Sequence, residues 1–271
     1  MDILIAVSVD EHGRTAVSTS SSQAIAWGQM LAQVTGAAPT LLTVAKHESE
    51  PVRAVLEKAA RMMAGPVSTS VVSGWAVEEI VREVESRRCD LVVMGLRPFP
   101  SIVQRLLGTV TERVLPQVAC PLLIAKSRPS SLRRILICEG GQAPSLLERF
   151  ITKLPGLIKD GTEIKVLHVM SQMLVNPAGN GWELQADAQT LIAQHAPEGE
   201  ILQADVKLLA IKPSPVAAEV RHGLVVDEIM AEAVNGRYDL IVIGRHRTSE
   251  WWLADLTAQI VTQADRSILV I

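Results

Sequence analysis

The sequence predicts an α/β protein made of two tandem copies of one doubly wound, parallel-sheet unit. Three observations lead there. The stretch IVREVESRRC has apolar residues at helical spacing and is followed by DLVVMG, a continuous β-branched run stopped by glycine. A helix feeding an apolar strand is the pattern of a parallel sheet covered on both faces. The same unit then recurs. EEIVREVESRRCDLVVMG, ending at Gly95, aligns with DEIMAEAVNGRYDLIVIG, ending at Gly244. Glu79 meets Glu228, Ile80 meets Ile229, Glu83 meets Glu232, Arg88 meets Arg237, Asp90 meets Asp239 and Leu91 meets Leu240; backwards, Gly74 meets Gly223, Val71 meets Val220 and Pro66 meets Pro215. Finally, the 271 residues are 48% hydrophobic but only 3% aromatic. That is the Val, Ile, Leu and Ala of buried strands, in a chain long enough for two domains of about 135 residues.

Taken in order, the first copy spans residues 1–127. It opens with a strand, ILIAVS from Ile3, rather than a signal peptide, because no basic region precedes the short apolar run. HGRTAVSTSSSQ follows as an exposed loop, with a serine near Ser22 expected to cap the next helix. TLLTVAK from Thr40 is the second strand and CPLLIA from Cys120 the last. SRPSSLRR reads as the linker. The second copy spans 134–271, with RILICE, IKVLHVM and SILVI as its first, second and last strands. Each copy is expected to hold about five strands and about four helices. The second copy adds an insertion, roughly Ser171 to Pro197. It comprises a turn at NPAGNG and an amphipathic helix in WELQADAQTLIAQ, a decoration expected near a ligand crevice.

Composition narrows the function. A net charge of −3 gives no footprint for nucleic acid, and Arg128, Arg133 and Arg134, broken up by Pro129 and serines, read as a solvated linker. Cys89, Cys120 and Cys138 are far apart and lie in or beside apolar runs, which predicts buried free thiols in a reducing, cytoplasmic compartment. No apolar stretch approaches the roughly 18 residues of a membrane helix. The six histidines form no metal-ligand spacing, and His168, inside an apolar strand, reads as a hydrogen-bonded core or crevice-edge residue. There is no Walker A pattern.

From Asp90 to Ala125 the chain reads DLVVMGLRPFPSIVQRLLGTVTERVLPQVACPLLIA. Gly95, then Gly108-Thr109, then Val110 to Leu115 as VTERVL, then Cys120-Pro121, resembles the signature end of the universal stress protein family. The resemblance implies an adenine nucleotide alpha hydrolase-like fold, with strand order 3-2-1-4-5 in each copy. It also implies a crevice at the C-terminal ends of strands one and four, where doubly wound sheets bind ligands. The residues it assigns to that crevice are Ser8, Val44, Gly95, Arg97, Gly108, Thr109, Val110 and Thr111. ATP is the implied ligand, with magnesium only in its company. Glycine there lets phosphate approach the backbone, and a helix start favours an anion.

The departures from the pattern matter. In the first copy Ser8 stands where the family has an aspartate, with Asp10 two residues on, and Pro98 removes one glycine and its N–H. In the second copy Arg247 takes a motif glycine, Ala254 and Asp255 fall where Gly108 and Thr109 stand, and Glu139 reads as a conservative replacement of the aspartate. ATP is therefore expected in the first copy only, and a crevice that has kept its fold and lost ATP stays open. The expected role is a non-catalytic stress-response binding or signalling module; no catalytic or metal residue is nominated. The alternatives are a slow ATP-hydrolysing enzyme and a protein-interaction module using Trp251, Trp252 and the region of Trp182. Family resemblance further implies that the two copies pair through their last strands, with a homodimer of chains left open.

Overall fold

The structure is a computed structural model that describes residues 1–9, 17–46, 50–96, 109–171, 186–210, 216–245 and 251–271, the side chains of Ser171, Val216 and residues 251–255 excepted. It divides into two compact units, Met1–Pro129 and Ser130–Ile271.

The first unit runs β1 (Ile3–Ala6), α1 (Thr19–Thr35), β2 (Thr40–Ala45), α2 (Glu50–Arg61), β3 (Ser68–Ser73), α3 (Ala76–Arg87), β4 (Leu91–Gly95), α4 (Val110–Val114) and β5 (Leu122–Ala125). All its strand pairs are parallel, in the order β3-β2-β1-β4-β5. Ile3, Leu4, Ile5, Leu91, Val92, Val93 and Leu122 to Ala125 are without exposure, as the continuous apolar runs require of strands covered on both faces. Trp27 is the largest fully buried side chain, and its indole N–H donates to Ser127 O at 2.9 Å, fastening α1 to the chain beyond β5.

The second unit repeats the plan: β6 (Arg134–Glu139), α5 (Leu146–Lys153), β7 (Glu163–Ser171), α6 (Ala188–Ala193), α7 (Pro197–Ala210), β8 (Val216–Gly223), α8 (Val225–Gly236), β9 (Leu240–Ile243), α9 (Trp251–Gln263) and β10 (Ser267–Val270). Its order is β8-β7-β6-β9-β10, again all parallel, so both units have the expected 3-2-1-4-5 arrangement. Arg134 belongs to β6 rather than to the linker: its guanidinium pairs with Glu163 at 2.9 Å and stacks over Tyr238.

Two details persist in both copies. Arg88 and Arg237 end α3 and α8 in the left-handed region, at φ 55° and 50°. Asp90 Oδ2 accepts from Asp2 N at 2.7 Å, and Asp239 Oδ2 accepts from Arg134 N at 3.1 Å, so each acid fastens the start of its unit's first strand.

The serine-rich stretch departs from expectation. Residues 12–16 of the expected loop lie outside the described residues, and the helix cap is not near Ser22. Ser18, in extended geometry, is the cap, its Oγ accepting from Ser21 N at 3.2 Å, and Ser20 and Ser21 lie buried in the first turn of α1. Any of several adjacent serines could cap; the position is set by packing α1 against β1 and β4. In the insertion, a helix runs Ala188–Ala193, capped by Asp187, whose carboxylate accepts from Thr190 N at 2.8 Å; Trp182 to Gln185 of the expected helix lie outside the described residues. Of the cysteines only Cys89 is buried. Cys120 and Cys138 are half-buried, their backbone positions near strand ends leaving one side less covered. Among the described residues, no helix is long and apolar enough to cross a membrane.

Candidate functional site

In the first unit, the C-terminal ends of β1 and β4 are bordered by hydroxyls. Ser8 follows β1; its N–H donates to Ser21 Oγ at 2.8 Å and its hydroxyl lies 3.2 Å from Ser18 Oγ. Ser18 Oγ is in turn 3.2 Å from Ser20 Oγ and 2.9 Å from Ser21 Oγ. Four hydroxyls thus converge at the start of a 17-residue helix whose first turn holds no acid. Gly95 closes β4 beside them. A Cβ there would lie 2.1 Å from Ser20 O, so this glycine is required for the close approach of the α1 backbone.

Thr111 is buried and donates to Gly95 O at 3.0 Å, joining α4 to the same place. Thr109 caps α4 through a reciprocal box: its Oγ1 accepts from Glu112 N at 3.2 Å, and Glu112 Oε2 accepts from Thr109 N at 2.6 Å. Its donor is therefore used within the helix start, a structural duty the motif did not reveal. Val110 is partly exposed, and Val44 is half-buried on β2 opposite Val72. The structure brings Ser8, Gly95 and Thr111 together through the serine cluster. Arg97, Gly108, Asp10 and Pro98 lie outside the described residues.

The second unit fills the same place with acids. Ile3 lies opposite Leu91 and Ile135 opposite Leu240, which puts Val7 in register with Glu139 and Ser8 with Gly140. Side-chain contacts repeat this register: Thr43 Oγ1 donates to Val7 O at 3.1 Å, and His168 Nδ1 lies 2.9 Å from Glu139 O. The reading of Glu139 as the aspartate's replacement is thus corrected by one residue; Gly140 holds that position. The buried Glu139 carboxylate turns instead onto its own loop, Oε2 accepting from Leu146 N at 2.6 Å and Oε1 from Gly141 N at 3.1 Å. Nearby, Ser145 caps α5 and donates to the buried Asp205 at 2.5 Å. At Gly244 a Cβ would meet, among the described residues, the end of the Arg149 side chain at 3.3 Å and Leu146 Cδ1 at 4.0 Å. The side chains of Trp251, Trp252, Ala254 and Asp255, and all of His246 and Arg247, lie outside the described residues.

Sequence reasoning also passed over Glu232. It is buried on α8, accepting from Tyr238 Oη at 2.5 Å and Lys165 Nζ at 2.9 Å, and from the Arg221 guanidinium. Glu219 pairs with both cations. Burial opposes the charge on Lys165, but its bonds to Glu219 and Glu232 more than offset this and raise its pKa; burial and Glu232 together raise that of Tyr238. A cavity of about 380 Å³ opens beside them, lined by Arg134, Glu163, Lys165, Asn235 and Tyr238 among others. Each charge in this group already has a counter-charge, so the arrangement serves packing. The signal was available: the repeat aligns Glu83 with Glu232, and its changed surroundings lay in Lys165, Arg221 and Tyr238.

Known proteins share this fold. The model of the universal stress protein family matches residues 50–126 and 134–271. A universal stress protein of Methanocaldococcus jannaschii is 32% identical over 81 residues, covering 30% of this chain and 48% of its own, so the match spans about half of that relative. One from Thermus aquaticus is 24% identical over 137 residues, 46% of this chain and 97% of its own. Among solved structures, a putative universal stress protein of Pseudomonas aeruginosa aligns with a TM-score of 0.69 at 18% identity, covering 100% of this chain and 92% of its own. One from Archaeoglobus fulgidus aligns with a TM-score of 0.63 at 15% identity, covering 98% and 95%.

Proposed function

The chain belongs to the universal stress protein family, and from that premise we propose that it is a non-catalytic stress-response binding module whose first unit accepts the phosphates of an adenine nucleotide and whose second does not. One observation carries this reading. Backbone N–H groups at a helix start attract an anion. In the second unit the chain supplies that anion itself: the Glu139 carboxylate takes Leu146 N at the start of α5 and Gly141 N in the loop. In the first unit, among the described residues, neutral serine hydroxyls and no acid meet the start of α1.

Phosphate entering the second crevice would face Glu139 and Glu148; entering the first, it would face donors. The described first-unit hydroxyls supply hydrogen bonds to a phosphate. ATP, with magnesium accompanying its phosphates, is the ligand of this reading. Its consequence would be to order the chain around the crevice and shift an interaction surface. Free thiols fit a reducing, cytoplasmic compartment.

Calorimetric titration of the full chain with ATP–Mg²⁺ tests the reading, with one nucleotide per chain expected. Ser18→Asp retains a good helix cap but adds the built-in charge that the second unit has, and should weaken binding at least about tenfold with thermal stability kept. Two sites per chain, no binding, or an unchanged affinity in Ser18→Asp would each contradict it. Accumulation of ADP during the titration would favour a slow hydrolase instead.

A further inference from the structure

The crossover helix α7 buries Gly199, Leu202, Asp205 and Leu209, so its core-facing stripe contains an acid. Asp205 is 1% exposed. Its Oδ1 accepts from Ser145 Oγ at 2.5 Å, while its Oδ2 is buried and has no hydrogen-bond partner among the described residues. The ionisable groups facing it from neighbouring elements are Glu139 at the end of β6 and Glu148 in the first turn of α5, both acidic. His168 of β7 stands one contact further, on Glu139 O, and on its own helix Glu198 reaches Gly141. Among the described residues no cation pairs with Asp205.

We propose that the second unit carries a proton-operated latch: neutral Asp205, bonded to the Ser145 cap of α5, seats α7 and α6 on the loop between β6 and α5, and ionised Asp205 releases them. The Ser145 hydroxyl donates to Oδ1 and by itself favours the carboxylate, but burial and the neighbouring acids outweigh it. The carboxylate would be a third negative charge, beside buried Glu139 and exposed Glu148, an arrangement that its own burial and like charge both oppose. Burial, with the neighbouring carboxylates adding to it, pushes the Asp205 carboxyl up to about 7.

The sign follows from that direction. The seated state keeps a proton that the released state gives up, so the latch is complete below the ordinary carboxyl value, weakens as pH rises, and is spent above about 7. The two helices move together. A Cβ on Gly199 would lie 2.2 Å from Leu191 O, so α6 and α7 touch backbone to backbone. The segment is held at its other end by packing of Ala186, Leu191 and Ala196 against Met170 and Val220, and by His222 Nε2, 2.8 Å from Ala186 O. Release uncovers Gly141, beside Glu198, and the start of α5 at Ser145. This inference is independent of nucleotide binding in the first unit.

Hydrogen exchange of the full chain, corrected for intrinsic rates and compared at about pH 5.5 and about pH 8, reads the latch directly. Protection in α7 should fall at least about tenfold at the higher pH in the wild type and stay constant in Asp205→Asn, with β4 and β9 unchanged in both. Identical pH profiles for wild type and variant would overturn the proposal. Should the variant not fold, a carboxyl carbon-13 titration of the wild type decides: a midpoint for Asp205 above about 5.5 is required, and one below it overturns the latch.

Discussion

The two units share a backbone plan and spend it differently at equivalent positions. On α3, Glu83 pairs with Arg87 at 2.9 Å, and Arg87 reaches Thr40 on β2 at 3.1 Å, a part-exposed arrangement within one helix and one strand. On α8 the aligned Glu232 is buried, and its partners come from two strands and the chain beyond the helix: Lys165 in place of Thr40, Arg221 in place of Val72, Tyr238 in place of Cys89. The crevices differ in the same sense, hydroxyls in the first unit and acids in the second. Duplication preserved what fixes the sheet and let the polar interior change sign. Identity across the repeat thus carries the same duty at Asp90 and Asp239 but not at Glu83 and Glu232.

The sharpest way to break this comparison is to neutralise the aligned acids. Glu232→Gln leaves Lys165 and Arg221 short of a counter-charge in a buried setting and should cost about 3 kcal/mol in urea unfolding. Glu83→Gln removes one part-exposed pair and should cost about 0.5 kcal/mol. Equal losses would mean that the burial difference carries no energy.

A second contrast uses the aligned glycines. Gly95→Ala forces a methyl group to within 2.1 Å of the Ser20 carbonyl, which belongs to a helix backbone and cannot step aside. About 2 to 3 kcal/mol of destabilisation is expected, read by thermal unfolding. Among the described residues, Gly244→Ala meets the guanidinium end of Arg149 at 3.3 Å, a flexible tip, and Leu146 Cδ1 at an ordinary 4.0 Å, and should stay within about 0.5 kcal/mol of wild type. The pair sharpens the account of Gly95, because a glycine kept only for ligand access would show no such penalty.

Much of this architecture was legible in the sequence because strands buried on both faces leave no choice of residue: LVVMG and LIVI can only be core. What was misread has identifiable causes. Adjacent serines offer equivalent caps, so the start of α1 depended on tertiary packing. Glu139 was matched to an aspartate by chemical likeness, and hydrogen-bonded strand register, which sequence does not display, moved it one place. Asp205 was overlooked because an acid in an amphipathic helix ordinarily faces water; only its spacing, three after Leu202 and four before Leu209, marks the buried stripe. The partners of Glu232 were invisible for the same reason, being distant in sequence.

The smallest contrast concerns the acids that fasten each unit's first strand. Exposed Asp90 accepts one backbone bond, from Asp2 N, and lies 3.9 Å from the terminal ammonium. Half-buried Asp239 gathers three donors on a single oxygen: Ser131 Oγ at 2.9 Å, Arg133 N at 2.8 Å and Arg134 N at 3.1 Å. Asp239→Ala should therefore cost about 2 kcal/mol and Asp90→Ala about 0.5 kcal/mol, because the former leaves three donors to find water near a packed strand. Hydrogen exchange at Arg133 and Arg134 gives the local readout: a loss of protection confined to those amides is expected in Asp239→Ala. If their exchange is unchanged, the start of β6 is fixed by strand pairing alone, and the acid retained in both copies serves something other than this anchor.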